Sequence, residues 1–196
     1  MNDKNKVVLI GGCPMSGKST VARELSSLWK WANISTDDIG EILQTVSDIN
    51  PMKDIDYREY YIKKTNAELI QDVIRYHEKL FPAIERLIEI NSKWGSPIIV
   101  EGWALYPEKL ADFKYKRIKK IWLVCDEMLL RKRLEEDLGF YKGSSDEDKM
   151  KNMYLERSFW HNAKIKEECI RLNESFIEIN KSTSLDIMEV ERMLLR

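Results

Sequence analysis

The sequence predicts an α/β fold, a parallel sheet covered on both faces by helices. Two observations carry that prediction. Short aliphatic runs alternate with longer stretches of helical periodicity along the whole chain. A glycine-rich octapeptide also follows the first aliphatic run and opens the first helical stretch. Length and composition agree. The chain has 196 residues, 43% hydrophobic and 33% charged, which suits one domain over residues 1–196. A chain of this size buries roughly 70% of its unfolded surface, so it needs no disulfide or structural metal.

Element by element, Val7-Val8-Leu9-Ile10 before Gly11-Gly12 reads as a buried strand. Residues 18–31 place Val21, Ala22, Leu25, Leu28 and Trp29 on one face of a helix. Asn33-Ile34-Ser35 is a weaker second strand. Pro97–Val100, Ile121–Val124 and Phe176–Ile179 are the third, fourth and fifth. Two segments exceed simple crossovers. Residues 39–95 keep helical spacing through Leu69, Val73, Leu80 and Ile84, with Pro82 expected to kink that helix or start a new one. Residues 138–173 open on Gly139 and Gly143 and turn helical from about Met150 to Leu172. Ligands of open α/β sheets sit beyond the carboxyl ends of the strands. The two segments are therefore expected to form a substrate cover (39–95) and a mobile lid (138–173).

Composition excludes several function classes. Net charge is −1, which argues against a nucleic-acid binder that must neutralise phosphates. No apolar run approaches the roughly 18 residues of a membrane span, and Met1–Lys6 does not lead into a secretory signal. Cys13, Cys125 and Cys169 form no CxxC pair and no ligand set with His77 or His161. A reduced, cytoplasmic setting is expected. Lys114–Lys120 is the one strong basic run and reads as a solvated connector.

The chemistry concentrates at strand ends. Gly12-Cys13-Pro14-Met15-Ser16-Gly17-Lys18-Ser19 fits G-x-x-x-x-G-K-[ST] at every defined position. Glycines let backbone N–H groups turn toward phosphate oxygens, and the following helix N-terminus adds partial positive charge. Residues 12–20, through Thr20, are thus the candidate ATP site, with Lys18 on the β- and γ-phosphates and Ser19 on Mg²⁺. Cys13 reads as a small filler, although amides around a thiol can activate it. After the second strand comes Asp37-Asp38. Asp38 is the better placed helix cap, which leaves Asp37 to take a proton from an acceptor hydroxyl or hold a metal-bound water. Asp37-Asp38-Ile39-Gly40 also spells the D-x-x-G of GTPase switches, but a guanine-reading Asn-Lys-x-Asp is missing, since Asn180-Lys181-Ser182 ends on Thr183. The third strand closes on Glu101, a carboxylate for Mg²⁺ or the acceptor. The metal candidates are then Ser19, Asp37 and Glu101.

GGxPxSGKST, STDDI and IVEGWALYP together resemble the P-loop small-molecule kinases. The likeness is nearest to 2-phosphoglycerate kinase-like proteins and more distant to uridine kinase, chloramphenicol phosphotransferase and zeta-toxin-type kinases. The resemblance implies the P-loop NTPase fold with five parallel strands in the order 2-3-1-4-5 and a helical lid. It implies MgATP as phosphoryl donor, a base or substrate contact at Asp37, and arginines that neutralise the transferring phosphoryl group. Arg133 matches the first arginine of the R-x-x-R pattern of uridine-kinase-like enzymes, but position 136 is Glu136. Arg157 is the replacement candidate, with His161 and Lys164 on its helical face. The expected acceptor is a small molecule bearing a hydroxyl, handled by a monomer or homodimer. Tyr57, Tyr60, Tyr61, Tyr76, Phe81, Trp103 and Tyr106 are clues to its binding, with Arg58, Arg75 and Arg86, yet no arginine cluster predicts a doubly charged acceptor. A nucleotide switch without an acceptor and a toxin-like nucleotide-sugar kinase are the alternative readings.

Overall fold

The computed structural model describes residues 6–113, 117–180 and 186–195. Residues 114–116 of the basic run and residues 181–183 after Asn180 lie outside the described residues, as do residues 1–5. In chain order the elements are β1 (Val7–Gly12), α1 (Lys18–Trp29), β2 (Ala32–Ser35), α2 (Thr36–Gln44), α3 (Tyr57–Lys63), α4 (Asn66–Lys93) and β3 (Ile98–Gly102). They continue with α5 (Pro107–Leu110), β4 (Ile118–Cys125), α6 (Glu127–Glu136), α7 (Leu138–Tyr141), α8 (Glu147–Leu172), β5 (Phe176–Ile179) and α9 (Ile187–Leu195). The five strands form one all-parallel sheet in the order β2-β3-β1-β4-β5. This is the P-loop NTPase arrangement expected above.

The alternation of side chains in β1 explains the two covered faces. Val7 and Leu9 join Val100, Trp122, Leu80, Ile84 and Ile165 on one side. Val8 and Ile10 join Ile99, Ile121, Val21, Leu25, Val190 and Leu194 on the other. A third cluster lies beyond the strand ends, where Cys13 and Cys125 meet Tyr60, Tyr61, Leu69, Met150 and Tyr154. It binds cover, lid and phosphate loop into one packed unit.

Pro82 neither breaks α4 nor opens a new helix. It sits exposed inside a 28-residue helix whose inner face buries Leu69, Val73, His77, Leu80, Ile84 and Ile88. Six buried anchors outweigh the local loss of one backbone donor. A Thr65–Glu68 capping box starts that helix. The segment expected to be a mobile lid is bonded to the segment expected to be a cover. Tyr57 donates to Phe140 O at 2.7 Å, Arg58 to Gly139 O at 3.1 Å, and Ser145 donates twice to Glu59 at 2.8 Å.

Candidate active site

Strand register assembles the site. Ile10 pairs with Glu101, and Ser35 pairs with Glu101 from the other side. The ends of β1, β2 and β3 therefore finish at one level, bringing the phosphate loop, Asp37 and Glu101 together. The loop bends by positive φ at Gly12 (141°), Met15 (60°) and Gly17 (98°), the kind of conformation that turns successive N–H groups to one side.

Lys18 is 7% exposed and donates across the loop to Cys13 O at 2.7 Å. Burial lowers its pKa, opposed by Cys13 and then by Glu101 and Asp37. Cys13 is fully buried, and burial pushes its thiol up to about 12. It is a packed filler and not a nucleophile. Ser16 Oγ is buried without a partner. The loop thus offers a curved backbone, a poised ammonium and an unsatisfied hydroxyl, which fits a polyphosphate. Ser19 Oγ donates to Glu101 Oε1 at 3.0 Å. Burial raises the Glu101 pKa, and Lys18, Ser19 and Ser35 oppose that rise. Ser19 and Glu101 present two adjacent oxygens beside the phosphate loop, and the described residues contain no cluster of three or more His, Cys, Asp or Glu side chains that could hold a metal ion.

Asp38 is not the N-cap of α2. Ser35 is, and it accepts from Asp37 N at 3.2 Å while Asp38 receives Ser35 N at 3.2 Å in a capping box. The expectation that Asp38 is the cap is corrected: its side chain serves at the third helical position of the capping box. Asp37 instead accepts from the Trp103 indole N–H at 2.8 Å. Gly102 makes that contact reachable. Its φ is +154°, and a Cβ there would stand 1.8 Å from Thr36 Oγ1, so only glycine lets β3 pass α2 and deliver Trp103.

Two cavities meet at Lys18 and Ser19. One, of about 400 Å³, runs along Gly17, Thr20, Arg133 and Asp137. The other, of about 470 Å³, is walled by Tyr60, Tyr61, Tyr76, Trp103, Phe140, Tyr154 and Arg157, with Asp37 and Glu101 also on its lining. The two arginines are therefore separated. Arg133 donates to Met15 O and lies on the first cavity. Arg157 lies on the second. Lys164 is engaged with Glu168 at 2.6 Å and with Glu108. His161 is fully buried behind the cavity, where its Nε2 meets Trp103 O at 2.9 Å. Arg58, Arg75 and Arg86 are bonded to Gly139 O, Asp72 and Glu89, and Phe81 packs on Phe113. Tyr106 sits under the site on His77 at 3.1 Å.

Sequence reasoning missed the outer polar wall. Asn50 donates to Gln44 at 2.7 Å, and Gln44 to Glu41 at 3.2 Å. Polar residues on the outer face of a short helix read as solvated, and no spacing rule distinguishes them. Phe140 and Tyr154 (ring centroids 4.6 Å apart) were equally silent.

A family model described as AAA domain matches residues 8–151, from β1 into the start of α8. The chain belongs to that AAA-domain family. No curated relative matches the AAA-domain chain. Among solved structures it is similar to TT1252 from Thermus thermophilus, at TM-score 0.54 and 16% identity over 98% of this chain and 97% of that one. It is also similar to a gluconokinase from Sinorhizobium meliloti, at TM-score 0.51 and 14% identity over 99% and 91% of the two chains. A protein from Eubacterium ventriosum gives TM-score 0.51 at 19% identity over 96% and 95%. At these identities the likeness is one of fold. No helix of the described residues is long and apolar enough to cross a membrane.

Proposed function

We propose that this AAA-domain protein is a phosphotransferase that moves the γ-phosphoryl group of ATP to a hydroxyl of a small molecule. One observation carries the reading. The phosphate loop opens on a second, aromatic-walled cavity that Asp37 and Glu101 also line. A nucleotide switch needs a phosphate site, but it has no use for an aromatic-walled cavity beside it. That a protein of like fold is a gluconokinase agrees with the reading, and the finer resemblance to 2-phosphoglycerate kinase-like and uridine kinase-like enzymes belongs to the same proposal.

In this reading residues 12–20 cradle the phosphates, and Lys18 turns from Cys13 O to the β- and γ-oxygens. Arg133 attends the nucleotide side. Ser19, Glu101 and Asp37 would hold Mg²⁺ or its waters, and the ion would supply charge neutralisation at the phosphates. Asp37 accepts the acceptor's proton, held in orientation by the Trp103 N–H. Arg157 faces the acceptor. One single-domain monomer or homodimer in the cytoplasm suffices for this chemistry.

Transfer of label from γ-labelled ATP to a hydroxyl acceptor, followed in Lys18→Ala and Asp37→Asn, tests the reading. Lys18→Ala should abolish transfer. Asp37→Asn should lower it roughly 10²–10⁴-fold, the range for loss of a general base, with nucleotide binding retained. Full activity in Asp37→Asn would remove Asp37 from the mechanism.

A further inference from the structure

We infer that Arg157 is an anion receptor in the acceptor cavity, and that the acceptor is a hydroxy acid carrying one carboxylate. The inference rests on the phosphotransferase reading for the word acceptor and on the structure for the receptor. Arg157 is 8% exposed. No carboxylate pairs with it among the described residues; its guanidinium hydrogen-bonds the Tyr61 side chain, and its Nε is buried without a partner. Its guanidinium carbon stands over the rings of Trp103 (4.7 Å), Tyr61 (4.8 Å) and Tyr154 (5.6 Å).

Taking a cation out of water is costly. Each ring returns part of that cost, and the unpaired Nε adds to it. The rings and the Tyr61 hydroxyl fix the guanidinium while its Nε stays unpartnered, so the cavity presents an oriented donor fork. A planar carboxylate matches that fork with two parallel hydrogen bonds. The remaining charges limit the ligand to one such group. The cavity's other cation is Lys18, which the phosphates claim, and its acids are Asp37, Glu41 and Glu101. A second negative charge on the acceptor would meet those three carboxylates. A phosphate monoester is thereby disfavoured, and the Tyr, Trp and Phe walls take up the body of the molecule.

The test uses matched pairs: glycerate and glycerol, mandelate and mandelamide, gluconate and glucitol. Thermal denaturation of the full chain is followed with each compound and, separately, with MgATP. At least one carboxylate should raise the wild-type midpoint while its uncharged partner does not. Arg157→Met should weaken that binding at least tenfold and keep the MgATP response, and Arg157→Lys, which retains charge and bulk, serves as a folded control with intermediate binding. Equal shifts from charged and uncharged partners, no shift from any carboxylate, or loss of the MgATP response in both variants would each overturn the inference. ATP turnover separates this claim from the one beneath it. Carboxylates that bind and never stimulate turnover would keep the receptor and sink the phosphotransferase, whereas turnover stimulated by the uncharged partners alone would do the reverse.

Discussion

Trp103 connects more of the site than any residue named for chemistry. Its indole N–H is given to Asp37 at 2.8 Å, its ring carries Arg157 at 4.7 Å, and its carbonyl meets His161. His77 packs edge-on against it at 4.4 Å between centroids. Replacement by phenylalanine keeps a ring under Arg157 and removes the donor to Asp37. One lost hydrogen bond to a carboxylate amounts to about 1.5 kcal/mol, roughly tenfold in rate. Steady-state kinetics of Trp103→Phe should show kcat down by that factor with the acceptor KM nearly unchanged; an equal fall in affinity would make Trp103 a binding wall only. Gly102→Ala should be more damaging, because its Cβ would meet the Thr36 hydroxyl and displace the residue that follows.

Among elements, α4 shows what packing does to a local rule. Pro82 lies on its exposed side, so Pro82→Ala removes no core contact and restores a backbone donor. The chevron or equilibrium denaturation midpoint should rise, by about 1–3 kcal/mol given the helix-interior penalty of proline. No gain would mean that the proline relieves strain elsewhere in the helix. The same contest of local and global terms decides how legible the elements were. β1, β3 and β4 announced themselves because they are inner strands built on aliphatic runs, and β5, an edge strand with Glu178 exposed, showed through its apolar Phe176, Ile177 and Ile179. β2 was faint because it is an edge strand with two exposed residues. The phosphate loop, Asp37 and Glu101 were legible because each stands in a fixed relation to a strand end. The far wall of the cavity was not, since Gln44, Asn50, Phe140 and Tyr154 come together only when the cover and the lid fold onto each other. The Glu59–Ser145 bonds fasten those two segments, and Glu59→Ala should speed limited proteolysis between residues 139 and 146. Unchanged cleavage would show that the Tyr57–Phe140 bond and the aromatic packing suffice.

For the whole molecule, the two buried histidines are expected to make stability pH-dependent. Burial holds His161 down to about 3 and His77 well below its ordinary value. Below the unfolded value of about 6.5 the unfolded chain binds protons that the folded chain refuses. More protons on the unfolded side means stability falls as pH falls, by about 1.4 kcal/mol per pH unit for each histidine. The window opens near 6.5 and extends toward the folded values. Glu101, raised by burial, acts in the opposite sense at more acid pH. Thermal midpoints between pH 8 and 5 should decline below about 6.5, and a His77→Gln, His161→Gln chain should decline less steeply. A flat wild-type profile would mean that the histidines are not held neutral.

The most direct test of the central claim is the fate of the γ-phosphoryl group. Labelled ATP is incubated with the wild-type chain and a panel of hydroxyl-bearing metabolites, and ADP, inorganic phosphate and phosphorylated acceptor are quantified together. The account predicts an acceptor that accelerates ADP formation and receives the label in equal amount, with both lost in Lys18→Ala. ADP formation at one rate with every acceptor, and label found only in inorganic phosphate, would contradict it.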